Sequence, residues 1–315
     1  MERSIKQMTR RQYLSLMVGT AAAALAPGYC IGENAGPALH LAVSVETLAG
    51  ANPDDARAAY TVWVRELHGQ LGSVIAEPVP GIFIPSEDIV RGVRQGTIDA
   101  YVVTGLEFAK IVDLTHSDSL LVENYLGGGM EYVMLVHSAS RFKQLADLRD
   151  AHIFSHLNRD TVLLPAWLST MLAAESLAAP DRFFAGNQLV GSPNQAVLPV
   201  FFRRADAACL ARRSWETAVE LNPQLGRDLR VLAVSPKVVP IVFGFRRSTT
   251  ANARKTLIDS IQRVYSAPVG RQITTLYQST GFVVRPVSVM KGTLEMVRQF
   301  ERLPGKPVSA VKAHS

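Results

Sequence analysis

A six-residue stretch, HLNRDT at 156–161, carries the densest polar chemistry in the chain. Asn158 and Thr161 offer an amide and a hydroxyl that can hydrogen-bond a bound molecule. Arg159 can hold a carboxylate, sulfonate or phosphate through two parallel N–H donors. The alternative is an exposed loop in which Asp160 caps the next helix and pairs with Arg159. The stretch therefore predicts an anion-binding loop, with a capped surface loop as the competing interpretation.

A second candidate, Thr104, stands where the apolar run 98–103 ends and a helix is expected to begin. Its hydroxyl and the neighbouring amides could bind an anion at the helix start. Thr104 and Glu107 also fit a capping box, T-x-x-E, which satisfies those amides internally, and Glu107 would repel an anion. Both interpretations remain open from the sequence.

Three further polar residues stand at expected element boundaries. Ser192 precedes Pro193 in the pattern of a helix cap, and Asn194 adds an amide at the same helix start. Thr47 follows the first expected strand, where a loop would face a ligand cleft. All three are candidate ligand-binding residues. The alternative for Ser192 and Asn194 is a plain helix cap, and the alternative for Thr47 is a solvated turn.

Patterns that would indicate an enzyme or a metal site are missing from the sequence. The seven histidines include no HExxH and no helical i, i+4 pair, since His152 and His156 span an expected strand and loop. There is no G-x-S-x-G, P-loop or G-x-G-x-x-G motif. Cys209 lies in the apolar run ADAACLA and is expected to be a buried core residue. No catalytic residue, metal or cofactor is predicted.

Strand-like and helix-like segments alternate along the chain in two similar units, near 38–136 and 139–237. This alternation predicts an α/β fold with two parallel-type sheets flanked by helices and a ligand cleft between two lobes. We expect residues 37–137 and 239–303 to form lobe 1 and residues 138–238 to form lobe 2.

The N-terminal residues 1–36 have the pattern of an export signal followed by a short linker. Basic residues that include Arg10 and Arg11 precede an apolar segment at 14–26, which is too short for a comfortable membrane span. The paired arginines resemble a twin-arginine signal, with the ordinary secretory route and a basic amphipathic helix of a cytoplasmic protein as alternatives. Lipid anchoring at Cys30 is disfavoured because Tyr29 is too large for a typical lipobox.

Charge gives little support for a nucleic-acid partner. The 315 residues carry a net charge of +6, and residues 1–30 contribute four basic side chains against one acidic side chain. No Lys/Arg run is interleaved with aromatic residues, so nucleic-acid binding is not predicted. The tail at 304–315 is basic and is expected to be disordered.

Three segments resemble the solute-binding proteins of phosphate, phosphite and phosphonate ABC transporters. They are EDIVRGVRQGTIDAYVVTGLEFAKI, FKQLADLRDAHIF and LVGSPNQAVLPVFFRRADAACLARR. The resemblance extends over about residues 38–280. It implies a type II periplasmic-binding-protein fold, a location in the periplasm, and capture of a small anion for an ABC permease in the membrane.

The residues that would read the anion differ from the family pattern. The family's Ser-Thr-Ser-Gly loop is replaced by residues 158–161, in which only Thr161 keeps a hydroxyl. Gly-Pro-Ala-x-Tyr becomes 104–108, where Phe108 keeps the aromatic ring without its hydroxyl, and the histidine after Gly-Ser becomes Pro193. The resemblance therefore implies that the scaffold is kept while the ligand is changed, and we expect an organic anion held by Arg159.

Two functions of different classes follow from these observations. The first is a monomeric, exported binding protein that delivers a phosphonate or related organic anion to an ABC permease. The second is a periplasmic sensor or accessory protein that uses the same fold to signal to a membrane partner such as a sensor kinase. An enzyme is disfavoured because no nucleophile and base are paired in the sequence.

Overall fold

The computed structural model describes residues 38–49, 83–123, 129–266 and 281–304, and five single helical positions, 54, 58, 61, 65 and 69. These five positions are helical and exposed. The export signal and the tail after residue 304 lie outside the described residues.

The described strands belong to two separate sheets. They are β1 (Leu41–Ser44), β2 (Phe83–Ile84), β3 (Ala100–Thr104), β4 (Leu120–Glu123), β5 (Tyr132–His137), β6 (His152–His156), β7 (Gly186–Val190), β8 (Ala207–Ala211), β9 (Leu229–Val234), β10 (Ile241–Phe245) and β11 (Phe282–Arg285). The first sheet has the order β11-β4-β10-β3-β1-β2, and the second has the order β7-β6-β8-β5-β9. The two units expected from the sequence are therefore not fused into one sheet.

The first sheet is mixed rather than parallel. β1 pairs in parallel with β2 and β3, whereas β10 is antiparallel to β3 and β4, and β11 is antiparallel to β4. Ile241, the first residue of β10, lies opposite Thr104, the last residue of β3. The chain thus returns from the second sheet at the edge where β3 ends, and this sets the opposite direction of β10.

The second sheet contains a parallel trio, β7, β6 and β8, followed by β5, which is antiparallel to both β8 and β9. All residues of β8, including Cys209, are buried, as expected for an apolar run covered on both faces. Our expectation that residues 132–137 belong to lobe 1 is wrong for this strand, since β5 pairs in the second sheet. A uniformly apolar strand does not reveal from sequence which sheet it joins, and the other lobe boundaries remain predictions.

Helices cover these strands, and proline occupies the first turn of several of them. The described helices are α1 (Ser86–Gln95), α2 (Gly105–Phe108), α3 (Leu164–Ala174), α4 (Pro180–Phe183), α5 (Pro193–Phe201), α6 (Arg212–Leu221), α7 (Pro223–Asp228), α8 (Ala251–Ser266) and α9 (Lys291–Glu301). The helix opened by Ser192 and Pro193 is confirmed as α5. Within the described residues, no helix is long and apolar enough to cross a membrane.

The chain passes between the sheets after β4 and again after β9, and the described residues of these two connections pair with each other. Met130 and Val238 form an isolated antiparallel bridge, with N–H to C=O distances of 2.8 Å in both directions. Helix α9 packs against α3 and α2. One continuous apolar cluster includes residues of both sheets, such as Val103 and Met134.

Candidate functional site

The predicted binding residues lie at the carboxyl ends of parallel strands, where ligands usually bind in α/β sheets. Thr104 ends β3 and Glu123 ends β4, with β10 between these two strands. In the second sheet, the stretch 156–161 follows β6 and Ser192 follows β7. This placement agrees with the sequence, but the contacts of the individual side chains differ from those expected.

Thr104 forms the capping box rather than an open anion site. Its backbone N–H donates to Glu107 Oε2 at 2.7 Å, and its hydroxyl donates to the same oxygen at 2.9 Å. Ser44, the last residue of β1, donates its hydroxyl to Glu107 Oε1 at 2.5 Å. Glu107 is only 2% exposed. A carboxylate of the protein itself therefore occupies the donors at the ends of β1 and β3.

The charge of Glu107 also acts on Glu46, which is half-buried in the 3₁₀ helix Val45–Leu48. Burial raises the pKa of Glu46, the nearby Glu107 carboxylate raises it further, and Lys110 partly opposes both effects. The carboxyl end of the first sheet is thus an acidic environment around β1 and β3.

Thr47 and Phe108 are inside the protein. The Thr47 hydroxyl donates to the Ser44 carbonyl at 2.6 Å, and the residue is 4% exposed. Phe108 is fully buried within the continuous apolar cluster. Both residues therefore pack inside the protein near the carboxyl edge of the first sheet.

In the stretch 156–161, Asn158 caps the 3₁₀ helix Arg159–Thr161, and Asp160 is one of the residues whose backbone N–H it accepts from. Asn158 Oδ1 accepts from the backbone N–H groups of Asp160 and Thr161, at 3.0 and 3.1 Å, at the start of a 3₁₀ helix. The buried Thr161 hydroxyl donates to the His156 carbonyl at 2.7 Å. These polar groups hold the loop in shape.

Arg159 pairs with Glu123 of the first sheet. Its Nη1 lies 2.9 Å from Glu123 Oε1, and the two side chains are 14% and 4% exposed. The sequence analysis did not single out Glu123, because it lies 36 residues away and only the tertiary fold brings it near. The ion pair joins the carboxyl edges of the two sheets.

Both members of this ion pair line a mostly apolar pocket. Its walls come from β3, β4, β10, β11 and α8. The lining residues are Val102, Leu121, Glu123, Arg159, Ile241, Phe243, Ile261, Tyr265 and Phe282. A guanidinium beside an apolar surface is suited to an organic anion.

Two other contacts bring the predicted loops together. The Tyr132 hydroxyl donates to the Asp160 carbonyl at 2.9 Å. A Cβ atom added to Gly105 would lie 2.5 Å from Thr293 Cγ2 and 3.1 Å from Leu163 Cδ1. The start of α2 therefore touches the segment that follows the stretch 156–161, and a side chain at Gly105 would disturb this contact.

Ser192 and Asn194 lie farther out in the second sheet. The Ser192 hydroxyl accepts from Gln195 N–H at 3.4 Å and so caps α5, while Asn194 is exposed. His156, which the sequence analysis mentioned only for its spacing, is 4% exposed. Burial lowers its pKa, with Asp160 acting in the opposite direction. Within the described parts of the chain, no cluster of His, Cys, Asp and Glu could hold a metal ion.

Comparison with known proteins gives a family and a fold. Residues 47–285 match the model of a family described as the periplasmic substrate-binding protein of phosphonate ABC transporters. No curated protein matches the chain.

Two solved structures resemble the whole described fold. PhnD1 from Prochlorococcus marinus, in complex with methylphosphonate, has 16% identity and a TM-score of 0.54, with 85% of this chain and 100% of that chain covered. XAC2383 from Xanthomonas citri, bound to ATP, has 19% identity and a TM-score of 0.55, with 85% and 98% covered. These likenesses concern the fold, and they confirm the predicted α/β, two-lobed class.

Proposed function

Because the chain belongs to the family of periplasmic substrate-binding proteins of phosphonate ABC transporters, we propose that it captures a phosphonate or related organic anion and delivers it to an ABC permease. The family match over residues 47–285 is the observation that carries this proposal. The relative from Prochlorococcus marinus was solved with methylphosphonate, which supports a ligand of this chemical class.

Within the site, Arg159 is the residue that we expect to hold the anionic group. It is a cation at the junction of the two carboxyl edges and it lines the pocket. Ser192 and Asn194 supply polar groups from α5. The loops around the ligand are supported by five further residues, Thr47, Thr104, Phe108, Asn158 and Thr161. Closure of the two lobes on the ligand is part of this proposal and would give the permease a distinct state to recognise.

The other parts of the proposal concern the setting of the protein. Residues 1–36 act as an export signal and linker, with the twin-arginine route as one of two candidates, and the protein works as a monomer in the periplasm. It has no catalytic function and needs no cofactor. The family match favours transport over the sensor alternative.

A thermal-shift screen of the full chain tests the function. The panel contains phosphate, phosphite, methylphosphonate, longer alkylphosphonates, methanesulfonate and small carboxylates. A ligand at a hundredfold excess over its Kd should stabilise the protein by about 2.7 kcal/mol. We expect a shift with one class of organic anion, lost in Arg159→Gln and kept in Arg91→Gln, which changes an exposed arginine of α1. Unchanged melting with every anion would contradict the proposal.

A further inference from the structure

The carboxylate of Glu107 is bound in the manner of an anionic ligand. Three donors reach its two oxygens, namely the Ser44 hydroxyl at 2.5 Å, the Thr104 N–H at 2.7 Å and the Thr104 hydroxyl at 2.9 Å. Glu107 and the two residues that supply the donors, Ser44 and Thr104, are each at most 2% exposed. Ser44 and Thr104 end the neighbouring parallel strands β1 and β3. The carboxylate thus lies on the edge of the sheet where a ligand is expected.

A small, multiply charged oxyanion depends on such donors. Transferring it from water to a protein site is costly unless most of its oxygens receive hydrogen bonds, preferably from several N–H and O–H groups. Here the donors at the ends of β1 and β3 already serve Glu107. An oxyanion placed against this edge would find these donors occupied and a like charge beside it.

The negative charge of Glu107 changes the pKa of a neighbouring carboxyl group. Glu46 is half-buried next to the same edge, and the Glu107 carboxylate makes it harder to ionise. A ligand with two negative charges would experience the same repulsion more strongly than a ligand with one. On the side of the second sheet, the side chain of Arg159 carries the opposite charge, which a ligand would share with Glu123.

We propose that Glu107 is a specificity-determining residue that excludes small dianions such as inorganic phosphate from the site and leaves a singly charged organic anion to Arg159. This inference rests on the proposed function and names its ligand class more narrowly. Selectivity is obtained partly by placing a repulsive group against the wrong ligand, in addition to attraction for the right one. Glu107 acts against the dianion in two ways, since it occupies the donors and adds a like charge, whereas the attraction for the right ligand comes from Arg159.

Two substitutions separate these two effects. Glu107→Gln keeps the size of the side chain and one acceptor oxygen and removes the charge, while its NH2 group replaces the second acceptor oxygen. Glu107→Ala removes the side-chain carboxylate and frees the three donors. Glu87→Gln is the matched control, because Glu87 is an exposed glutamate of α1 and its substitution changes the net charge by the same amount.

Isothermal titration of the full-length variants with inorganic phosphate and methanesulfonate measures the selectivity. We expect the ratio of the affinity for phosphate to that for methanesulfonate to rise by about tenfold in Glu107→Gln. The ratio should stay at its original value in Glu87→Gln. An unchanged ratio in Glu107→Gln would overturn the inference, and this variant is decisive even if Glu107→Ala does not fold.

Formate provides a second readout that does not depend on the transported ligand. It replaces the lost carboxylate, so it should raise the melting temperature of Glu107→Ala more than that of the original protein or of Glu107→Gln. Rescue by formate without any binding of phosphate, phosphonate or sulfonate by the original protein would contradict the proposed function and leave the bound-anion role of Glu107 supported. Absence of rescue in a folded Glu107→Ala would overturn that role.

Discussion

Arg159 and Glu123 form an ion pair across the two sheets, with 2.9 Å between Nη1 and Oε1. The arginine follows β6 in the second sheet, and the glutamate ends β4 in the first sheet. An anionic ligand that binds Arg159 must therefore share it with Glu123 or displace Glu123. Ligand binding at Arg159 is therefore expected to affect the contact between the carboxyl edges of the two sheets.

We expect Glu123→Gln to destabilise the protein by roughly 3 kcal/mol, because a largely buried guanidinium loses a charged partner. The same change should make Arg159 more available and increase the affinity for methanesulfonate. Urea unfolding and calorimetric titration measure the two effects. Asp88→Asn, which breaks the exposed pair of Asp88 with Arg91, is the control and should change neither quantity appreciably. Equal changes in unfolding free energy and in methanesulfonate affinity for Glu123→Gln and Asp88→Asn would argue against a role for the Arg159–Glu123 pair.

Asp99 should make stability depend on pH at the acidic end. Burial alone would raise its pKa, but hydrogen bonds from Arg246, at 2.5 Å, and from the His40 backbone, at 3.1 Å, bring it below the ordinary value of 3.8. The stabilisation is complete above pH 3.8 and is lost as the pH falls through the lowered pKa. We expect Asp99→Asn to cost about 2 kcal/mol at pH 7, with a smaller difference in strong acid. Urea titrations at several pH values test this, and a pH-independent difference would contradict it.

Glu46 should act in the opposite direction. Its pKa is raised by burial and by the Glu107 carboxylate, so the folded protein holds this proton more tightly than the unfolded chain. The benefit is present below the ordinary pKa of 4.5 and disappears as the pH rises through the raised value. Glu46→Gln should therefore raise the melting temperature at pH 7 but not at pH 4. Melting curves of Glu46→Gln and the original protein at both pH values test this prediction. The increase in melting temperature at pH 7 should be smaller when Glu46→Gln is combined with Glu107→Gln.

Cys209 is expected to be unreactive in the native protein. The side chain is fully buried, and burial raises the pKa of its thiol to about 12. Reactive thiolate is therefore scarce, and reagents cannot reach it. In a Cys30→Ser variant, whose remaining cysteine is Cys209, a thiol reagent should react only after denaturant is added. Rapid labelling without denaturant would show that β8 is accessible.

Gly292 lies in α9 against the segment that passes from β9 to β10. A Cβ atom at this position would overlap the backbone carbonyl oxygen of Lys237, which cannot move as a side chain could. We expect Gly292→Ala to destabilise the protein by about 2 kcal/mol, as overpacking usually does. Gly191→Ala is the control, because nothing lies within 4 Å of a Cβ atom there. Urea unfolding of both variants provides the comparison, and equal stability would show that α9 adjusts freely.

Local signals in the sequence were sufficient for elements whose ends have a chemical marker. Ser192 with Pro193 identified the start of α5, and the T-x-x-E pattern identified the capping box of Thr104 and Glu107. The strands Phe83–Ile84, Leu120–Glu123, Gly186–Val190 and Phe282–Arg285 were missed. They are two to five residues long, and their partners in the sheet define them more than their own pattern does.

The site was predictable in position but not in its contacts. The sequence placed Arg159 in a loop after a strand, and the structure agrees. Its partner Glu123 and the Ser44–Glu107 contact join residues 36 and 63 positions apart. Such pairs depend on which strand ends become neighbours in the folded sheets. A single sequence does not specify that neighbourhood.

The position of β10 in the first sheet has a consequence for the order of folding. β10 lies between β3 and β4, yet it comes from residues 241–245, after the whole second sheet. The second sheet uses only residues 132–234 and can be completed as soon as this stretch has left the ribosome. The first sheet begins earlier, but β3 and β4 must remain without their shared neighbour until much later. We therefore expect the N-terminal strands to be the slowest to reach their native state, since pairing over a long sequence separation is slow.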